Sequence, residues 1–161
     1  ANMDKVVLLI GNHDFHYLRG LPKSEQYSGF QWYARFDIQE ALEENIDLLN
    51  VAYVIGNTII SHAGVSKTFL SENNTTLETL NDKFKENRNI LAFNDNCYDP
   101  YGDDPISSPI WIRPRSLLKD KLDDYKQIVG HTRQDDINTI ENITFIDCLD
   151  SVVKGCKFEN A

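Results

Sequence analysis

Three of the four histidines in this sequence follow short apolar runs and lie close to a glycine. His13 ends the segment LLIGNH, His62 ends IISH and His131 ends IVGH. Side chains just beyond strand ends converge in the crevice where a sheet binds ligands. One such histidine is more often an ordinary hydrogen-bonded residue, but three in the same context favour a divalent transition-metal site. His16 lacks this context, and we expect it at a rim or in a structural role.

The segment GNHD at residues 11–14 places an amide, an imidazole and a carboxylate in succession at the end of an apolar run. Glycine lets the backbone turn sharply or approach a ligand closely. The pattern predicts that a buried strand stops here in order to present Asn12, His13 and Asp14 to a site.

Apolar runs and turn residues predict the elements that position these side chains. Strands are predicted at residues 5–10, 52–55, 58–60, 127–129, 144–146 and 152–158. The Gly56-Asn57 pair between the second and third of these strands predicts a hairpin. Helices are predicted at residues 37–49, with Asp37 as N-cap, and at 66–72 and 75–90. Because strands and helices alternate, the fold class is α/β or α+β.

Length, charge and cysteine usage restrict the class of protein. The chain has 161 residues, which suits one domain, and 25 acidic against 16 basic residues give a net charge of −9. This balance argues against non-specific nucleic-acid binding, which needs Lys and Arg on phosphates. No apolar run approaches the roughly 20 residues that span a membrane, and no signal peptide is recognisable. Three cysteines without a CxxC pair favour reduced thiols, so we expect a cytoplasmic protein without membrane partners.

In their order and spacing, GNHD at residues 11–14, SHAG at 61–64 and GHT at 130–132 resemble the later signature motifs of the calcineurin-like metallophosphoesterases. The resemblance covers most of the chain. It is to the branch with the bacterial diadenosine tetraphosphatases and the Ser/Thr protein phosphatases, since Thr132 stands where many nuclease members have a second histidine. It implies a mixed β-sandwich flanked by helices, with the site at strand ends on one edge.

The resemblance also implies a role for each motif residue. Asn12, His62 and His131 match the family's ligands of the second of two metal ions. His13 matches the general acid, and Asp14 matches the carboxylate that orients it. These residue types suit the chemistry, because an amide and two neutral imidazoles leave a bound metal strongly Lewis acidic. A histidine with a pKa near neutrality can protonate an alkoxide leaving group.

The first two motifs of that family, Asp-x-His and Gly-Asp-x-x-Asp, are absent from the sequence. They supply the first metal's ligands and the carboxylate that bridges both metals. We therefore expect residues 1–161 to be the C-terminal portion of a single, N-terminally incomplete metallophosphoesterase domain. The resemblance implies two divalent ions (Mn, Fe, Zn or Ni) in the full-length parent and at most one site here. The isolated chain is expected to be inactive or nearly so.

The segment WIRPR at residues 111–115 resembles the Trp-x-Arg stretch with which the tetraphosphatase-like branch grips substrate phosphate. Arg113 is the first candidate for this role and Arg115 the second, because a guanidinium fork matches phosphate oxygens. An arginine that covers the Trp111 ring or makes a surface ion pair is the structural alternative. The acidic stretch at residues 95–104 lacks the EF-hand spacing, so a solvated loop near the cleft is favoured over a calcium site.

The leading functional interpretation is metal-dependent hydrolysis of a phosphomonoester or nucleotide phosphoanhydride, with a phosphorylated protein or a nucleotide as substrate. The alternative is a non-catalytic binding or scaffold module that retains the fold, against which the intact His13-Asp14 pair argues. A purely structural zinc site is disfavoured because no cysteine ligands complete it. Loss of the first strands would uncover a sheet edge, so self-association is also expected.

Overall fold

The computed structural model describes residues 6–19, 30–93, 99 and 101–149. The strand predicted at residues 152–158, as well as Cys97 and Cys156, lies outside these ranges. The described part of the chain has a mixed α/β architecture in which a mixed sheet is flanked by helices. The predicted fold class is therefore confirmed.

Seven short strands and five α-helices make up the described structure. The strands are β1 (Leu8–Leu9), β2 (Leu49–Asn50), β3 (Ala52–Ile55), β4 (Thr58–Ser61), β5 (Lys126–Val129), β6 (Asn138–Ile140) and β7 (Ile143–Phe145). The α-helices are α1 (Asn12–Arg19), α2 (Arg35–Glu44), α3 (Lys67–Glu72), α4 (Leu80–Glu86) and α5 (Pro114–Lys119). Short 3-10 helices occupy Trp32–Ala34, Ile46–Leu48 and Arg88–Leu91.

The strands form one five-stranded and one two-stranded sheet. In the larger sheet the order is β3-β4-β5-β7-β6, with β4, β5 and β7 parallel to one another and the two outer strands antiparallel to their neighbours. Strands β1 and β2 pair in parallel. Because parallel strands end at the same edge, the residues after β4, β5 and β7 lie side by side.

The core brings the two sheets and the helices together through buried apolar side chains. One cluster includes Ile10 after β1, Ile59 on β4, and Phe69 and Phe84 on α3 and α4. A second cluster packs α5 against the larger sheet through Leu117, and its buried members are Ala63, Ile112, Leu117, Val129, Ile143 and Phe145. The second cluster thus packs under the ends of β5 and β7 through Val129 and Phe145.

Several predicted boundaries shift in the structure. The hairpin is confirmed, with Ile55 opposite Thr58, but the helix predicted at 37–49 spans Arg35–Glu44 and has Ala34 as N-cap. The prediction that Asp37 caps this helix was wrong, since Asp37 lies in its first turn. The helix predicted at 75–90 is reduced to α4 and a following 3-10 turn. Helix α5 and strand β6 were not predicted.

No helix within the described residues is long and apolar enough to cross a membrane.

Candidate active site

A cleft of about 590 Å³ opens where strands β1, β4, β5 and β7 end. Its lining residues are Leu9, Gly11, Asn12, His13, Asp14, His62, Arg113, Gly130, His131, Ile146 and Asp147. Six of the seven residues selected from the sequence as site residues therefore line one cavity. The expectation that separate strand ends converge is met by this geometry.

Three side chains with atoms that could bind a metal, Asn12, His62 and His131, meet in this cleft, and we call them the donor cluster. The Nε2 atom of His62 lies 2.9 Å from Oδ1 of Asn12 and 3.1 Å from Nδ1 of His131. The two imidazole rings are tilted by 59° with their centroids 4.9 Å apart. The three residues come from the starts of α1 and of the segments after β4 and β5, so only the folded sheet brings them together.

The backbone at two positions makes this approach possible. His131 has φ of +65°, a left-handed conformation that is uncommon for residues other than glycine and that clusters at functional sites. A Cβ atom on Gly11 would lie 3.0 Å from Nδ1 and 3.1 Å from Cε1 of His62, which is tighter than ordinary contact. A side chain at residue 11 would therefore press on the His62 ring and require it to shift.

Burial lowers the pKa of His62 and His131 below the usual 6.5. For His131, desolvation lowers the pKa to about 3, and the nearby His62 and Arg113 act in the same direction. A hydrogen bond with the backbone of Trp111 acts against this shift. For His62, desolvation is again the largest cause, although the Asp14 carboxylate raises the pKa in part. Both imidazoles are thus neutral at pH 7, which is the form that binds metals.

His13 and Asp14 lie in the first turn of α1. His13 is exposed and lines the cleft, and its charge acts on the pKa of both His62 and His131. The Oδ2 atom of Asp14 accepts a hydrogen bond from the Gly11 backbone N–H at 2.9 Å. This bond fixes the Asp14 carboxylate at the turn between β1 and α1.

The two candidate arginines have different surroundings. Arg113 lines the cleft, donating from Nε to the Tyr101 carbonyl at 2.6 Å and from Nη1 to Oγ1 of Thr132 at 3.2 Å. Arg115 is not among the cleft-lining residues, is 75% exposed and has Nη1 at 3.9 Å from an oxygen of Asp103. A phosphate-binding role for Arg115 stays a prediction, and the geometry favours Arg113.

The acidic stretch is more structured than a simple solvated loop. Of its described residues, Asp103 accepts hydrogen bonds at Oδ1 from the backbone N–H of Ser116 at 3.1 Å and from the Ser116 hydroxyl at 2.8 Å. Gly102 accepts a backbone bond from Arg113 at 3.3 Å. The interpretation as a solvated loop was therefore incomplete, because this end of the loop holds the start of α5.

Asp147 was not predicted from the sequence, and it lines the cleft two residues after the end of β7. Its carboxylate raises the pKa of His62, opposing the effect of burial. The segment TFID at residues 144–147 repeats the pattern of an apolar run that ends in a polar residue. Extending the histidine rule to carboxylates at strand ends would have identified it.

Clusters of three or more His, Cys, Asp or Glu side chains arranged to hold a metal do not occur among the described residues. The group at the cleft floor consists instead of two imidazoles and one amide, and of the three cysteines Cys148 is described, buried and free. Metal binding at Asn12, His62 and His131 therefore stays a proposal.

Similar folds occur among solved structures. A cold-active protein-tyrosine phosphatase of the psychrophile Shewanella sp. matches with a TM-score of 0.57 and 17% sequence identity, over 90% of this chain and 50% of that chain. A second structure, titled as a cold-active protein tyrosine phosphatase at 1.1 Å, matches with a TM-score of 0.50 and 19% identity, over 90% of this chain and 49% of that one. The chain thus shares their fold and spans about half of their length. No protein-family model and no curated protein matches it.

Proposed function

We propose that this chain carries part of the active site of a metal-dependent phosphatase of the calcineurin-like type. The observation that carries the proposal is the meeting of Asn12 Oδ1, His62 Nε2 and His131 Nδ1 in a cleft that also holds His13 and Arg113. The fold shared with structures titled as phosphatases supports the same class of reaction. The substrate would be a phosphorylated protein or a nucleotide, hydrolysed at a phosphomonoester or phosphoanhydride bond.

The spacing of the three donors fits one transition-metal ion. Nitrogen or oxygen atoms that bind one transition-metal ion, each about 2.1 Å from it, lie roughly 3 to 3.4 Å apart. The two separations of 2.9 Å and 3.1 Å from His62 Nε2 are close to this range, so Asn12, His62 and His131 could hold one ion. Neutral imidazoles and an amide oxygen are also donors that Mn, Fe, Zn and Ni accept. When bound, such an ion supplies Lewis acidity toward a phosphoryl oxygen and an activated water.

The residues of the chain have separate tasks in this proposal. His13, exposed at the mouth of the cleft, donates a proton to the leaving oxygen as the phosphorus–oxygen bond breaks. Asp14, anchored to the Gly11 N–H, supports the imidazole that carries this proton. Arg113 binds the non-bridging phosphate oxygens with its remaining N–H groups. Phosphoryl transfer relies mainly on such positioning and charge stabilisation.

The donor cluster could hold one metal ion, whereas a two-metal mechanism requires ligands for a second ion as well. We propose that residues of the complete protein, outside the present chain, supply the remaining ligands and the bridging carboxylate. The isolated chain should then bind one ion and turn over substrate slowly or not at all.

Assays of p-nitrophenyl phosphate hydrolysis with Mn²⁺ test the proposal, using residues 1–161 and the complete product of the gene. We expect turnover by the complete product, loss of at least 100-fold in kcat for His13→Ala (on the order of a general acid's contribution), and little turnover by residues 1–161. Full activity of His13→Ala would contradict the proposal. So would a complete product that hydrolyses no substrate with Mn²⁺ and, in repeat assays, none with Fe²⁺, Zn²⁺ or Ni²⁺ either.

A non-catalytic scaffold is the second candidate. It predicts that the complete product binds phosphate esters without hydrolysing them. The position of His13 beside the donor cluster argues against it, because a binding module has no need for an ionisable group at the leaving-group side.

A further inference from the structure

The guanidinium of Arg113 is held by hydrogen bonds from two sides. Its Nε donates to the carbonyl of Tyr101 at 2.6 Å, and its Nη1 donates to the hydroxyl of Thr132 at 3.2 Å. These two acceptors lie on segments far apart in sequence, one before α5 and one after β5. The guanidinium plane is thereby fixed rather than free to rotate.

The two bonds limit which N–H groups of the guanidinium are left for a ligand. An arginine has five N–H donors, and the described contacts use one on Nε and one on Nη1. Within the described part of the chain, both N–H groups of Nη2 and the second one of Nη1 are therefore left for a ligand. Arg113 also lines the cleft and acts on the pKa of His131, which places its guanidinium near the donor cluster.

The loop that offers the Tyr101 carbonyl is itself held in place. Gly102 has φ of +84°, and a Cβ atom there would lie 2.7 Å from the Trp111 carbonyl oxygen, so glycine is required. The Gly102 carbonyl accepts from the Arg113 backbone N–H at 3.3 Å. The neighbouring Asp103 binds the N–H and hydroxyl of Ser116 on α5. These contacts connect the loop to the same helix that Arg113 precedes.

We propose that Thr132 and the Tyr101–Gly102 turn are the positioning groups that hold Arg113 so that its remaining Nη1 and Nη2 N–H groups bind a tetrahedral oxyanion such as phosphate. The inference rests on the proposed phosphatase function and specifies how its substrate is oriented. Because hydrogen bonds already hold the Arg113 guanidinium before phosphate binds, less side-chain entropy is lost on binding. A lysine, which has no planar fork, cannot reproduce this arrangement.

Phosphate binding to residues 1–161 in the presence of Mn²⁺, measured by isothermal titration calorimetry with inorganic phosphate, tests the inference. Thr132→Val removes the hydroxyl with little change in shape and should weaken binding roughly tenfold, the size of a lost hydrogen bond to a charged group. Thr132→Ser keeps the hydroxyl and should bind within about twofold of the wild type. Thr139→Val, which removes an exposed hydroxyl bonded to Thr144, is the matched control and should change nothing.

A second pair of variants tests the loop. Gly102→Ala should weaken phosphate binding because its Cβ displaces the turn, whereas Gly56→Ala has similar backbone strain at φ of +58° but no atom within 4 Å of the added carbon. The NMR signal of the Arg113 Nε–H should shift in Gly102→Ala and Thr132→Val, but not in Gly56→Ala or Thr139→Val.

The outcomes separate this inference from the proposed function. If Arg113→Ala abolishes phosphate binding while Thr132→Val and Gly102→Ala bind as the wild type does, the positioning inference is wrong and the phosphate site stands. If Arg113→Ala leaves phosphate binding unchanged, or the wild type binds none, the phosphate site and this inference are both overturned. Mn²⁺ titration of the same samples shows whether the metal site survives that result.

Discussion

At the scale of single residues, the cleft contains residues whose backbone conformation or burial costs folding free energy. His131 is the clearest example, since its φ of +65° and its desolvated ring both cost free energy. A left-handed conformation is unfavourable by about 1–2 kcal/mol for residues with a Cβ. In this conformation His131 Nδ1 lies 3.1 Å from Nε2 of His62.

Replacing His131 tests this cost. His131→Gly relieves the backbone strain, whereas His131→Ala retains it, so the glycine variant should be more stable than the alanine variant by about 1 kcal/mol. Both variants should lose metal binding. Urea unfolding measures the difference in the free energy of unfolding. An alanine variant as stable as the glycine variant would show that the left-handed backbone carries no strain.

His16 provides a prediction about pH. Burial lowers its pKa from 6.5 to about 4, with His13 and Arg19 acting in the same direction. In the unfolded chain His16 takes up a proton below pH 6.5, but in the folded chain it does so only near pH 4. Its contribution to stability is therefore present above pH 6.5 and is lost as the pH falls toward 4.

The variant His16→Phe keeps an aromatic ring against Trp111, whose centroid lies 5.5 Å from that of His16. It should unfold with a shallower fall in melting temperature between pH 6.5 and 4 than the wild type, while the two curves run parallel above pH 7. Equal slopes in the acid range would show that His16 is not buried in its neutral form.

The sequence brought His62 and His131 to one predicted site because strand ends are visible as short apolar runs followed by polar residues close to a glycine, and the family resemblance added Asn12. It could not predict the hydrogen bonds of Arg113, since Thr132 and Tyr101 come from segments that only the fold brings together. Asp147 was not predicted either, although as an acidic residue it follows an apolar run in the same way as the histidines do.

At the scale of elements, the turn from β1 into α1 determines how closely His62 can approach Asn12. Gly11→Ala should displace the His62 ring and weaken Mn²⁺ binding, because its Cβ would lie 3.0 Å from Nδ1. Gly130→Ala is the matched control, since its Cβ would come no closer than 3.6 Å to the His62 carbonyl oxygen. Calorimetry should show weaker binding for the first variant alone. Equal binding by both would mean that the turn adapts.

Element prediction was correct for the β3–β4 hairpin and for α3, and it missed strand β6 and helix α5. The hairpin was correct because Gly56-Asn57 separates two β-rich runs. Strand β6 has three exposed residues, of which Ile140 alone is large and apolar. Helix α5 is as short as α3, and Pro114 suits its first helical position, so its length does not explain why it was missed.

At the scale of the whole molecule, one sheet edge in the described part of the chain carries exposed apolar side chains, although Asn81 binds the backbone N–H and carbonyl of Ala52 at its start. Strand β3 is at the end of the five-stranded order, and Tyr53, Val54 and Ile55 on it are all exposed. Unpaired edge strands with apolar side chains favour association between copies. The self-association expected from the sequence was assigned to a different edge, the one that loss of the first strands would uncover, and it stays a prediction.

Sedimentation velocity from about 5 to 200 µM tests the association of residues 1–161. We expect dimers or larger species at the upper end, and a shift toward monomer in Val54→Lys, which places a charge on the edge. Ser71→Lys, an exposed change on α3, is the control and should leave the distribution unchanged. A monomer at every concentration would contradict the expectation.

The central claim is that Asn12, His62 and His131 form a metal site within a phosphatase cleft. Titration of residues 1–161 with MnCl₂, followed by calorimetry beside His62→Ala and Asn12→Ala, tests it most directly. The account predicts one ion per chain in the wild type and at least tenfold weaker binding in each variant, the range that loss of a group fixing the metal produces. Absence of saturable binding, or wild-type affinity in both variants, would contradict it.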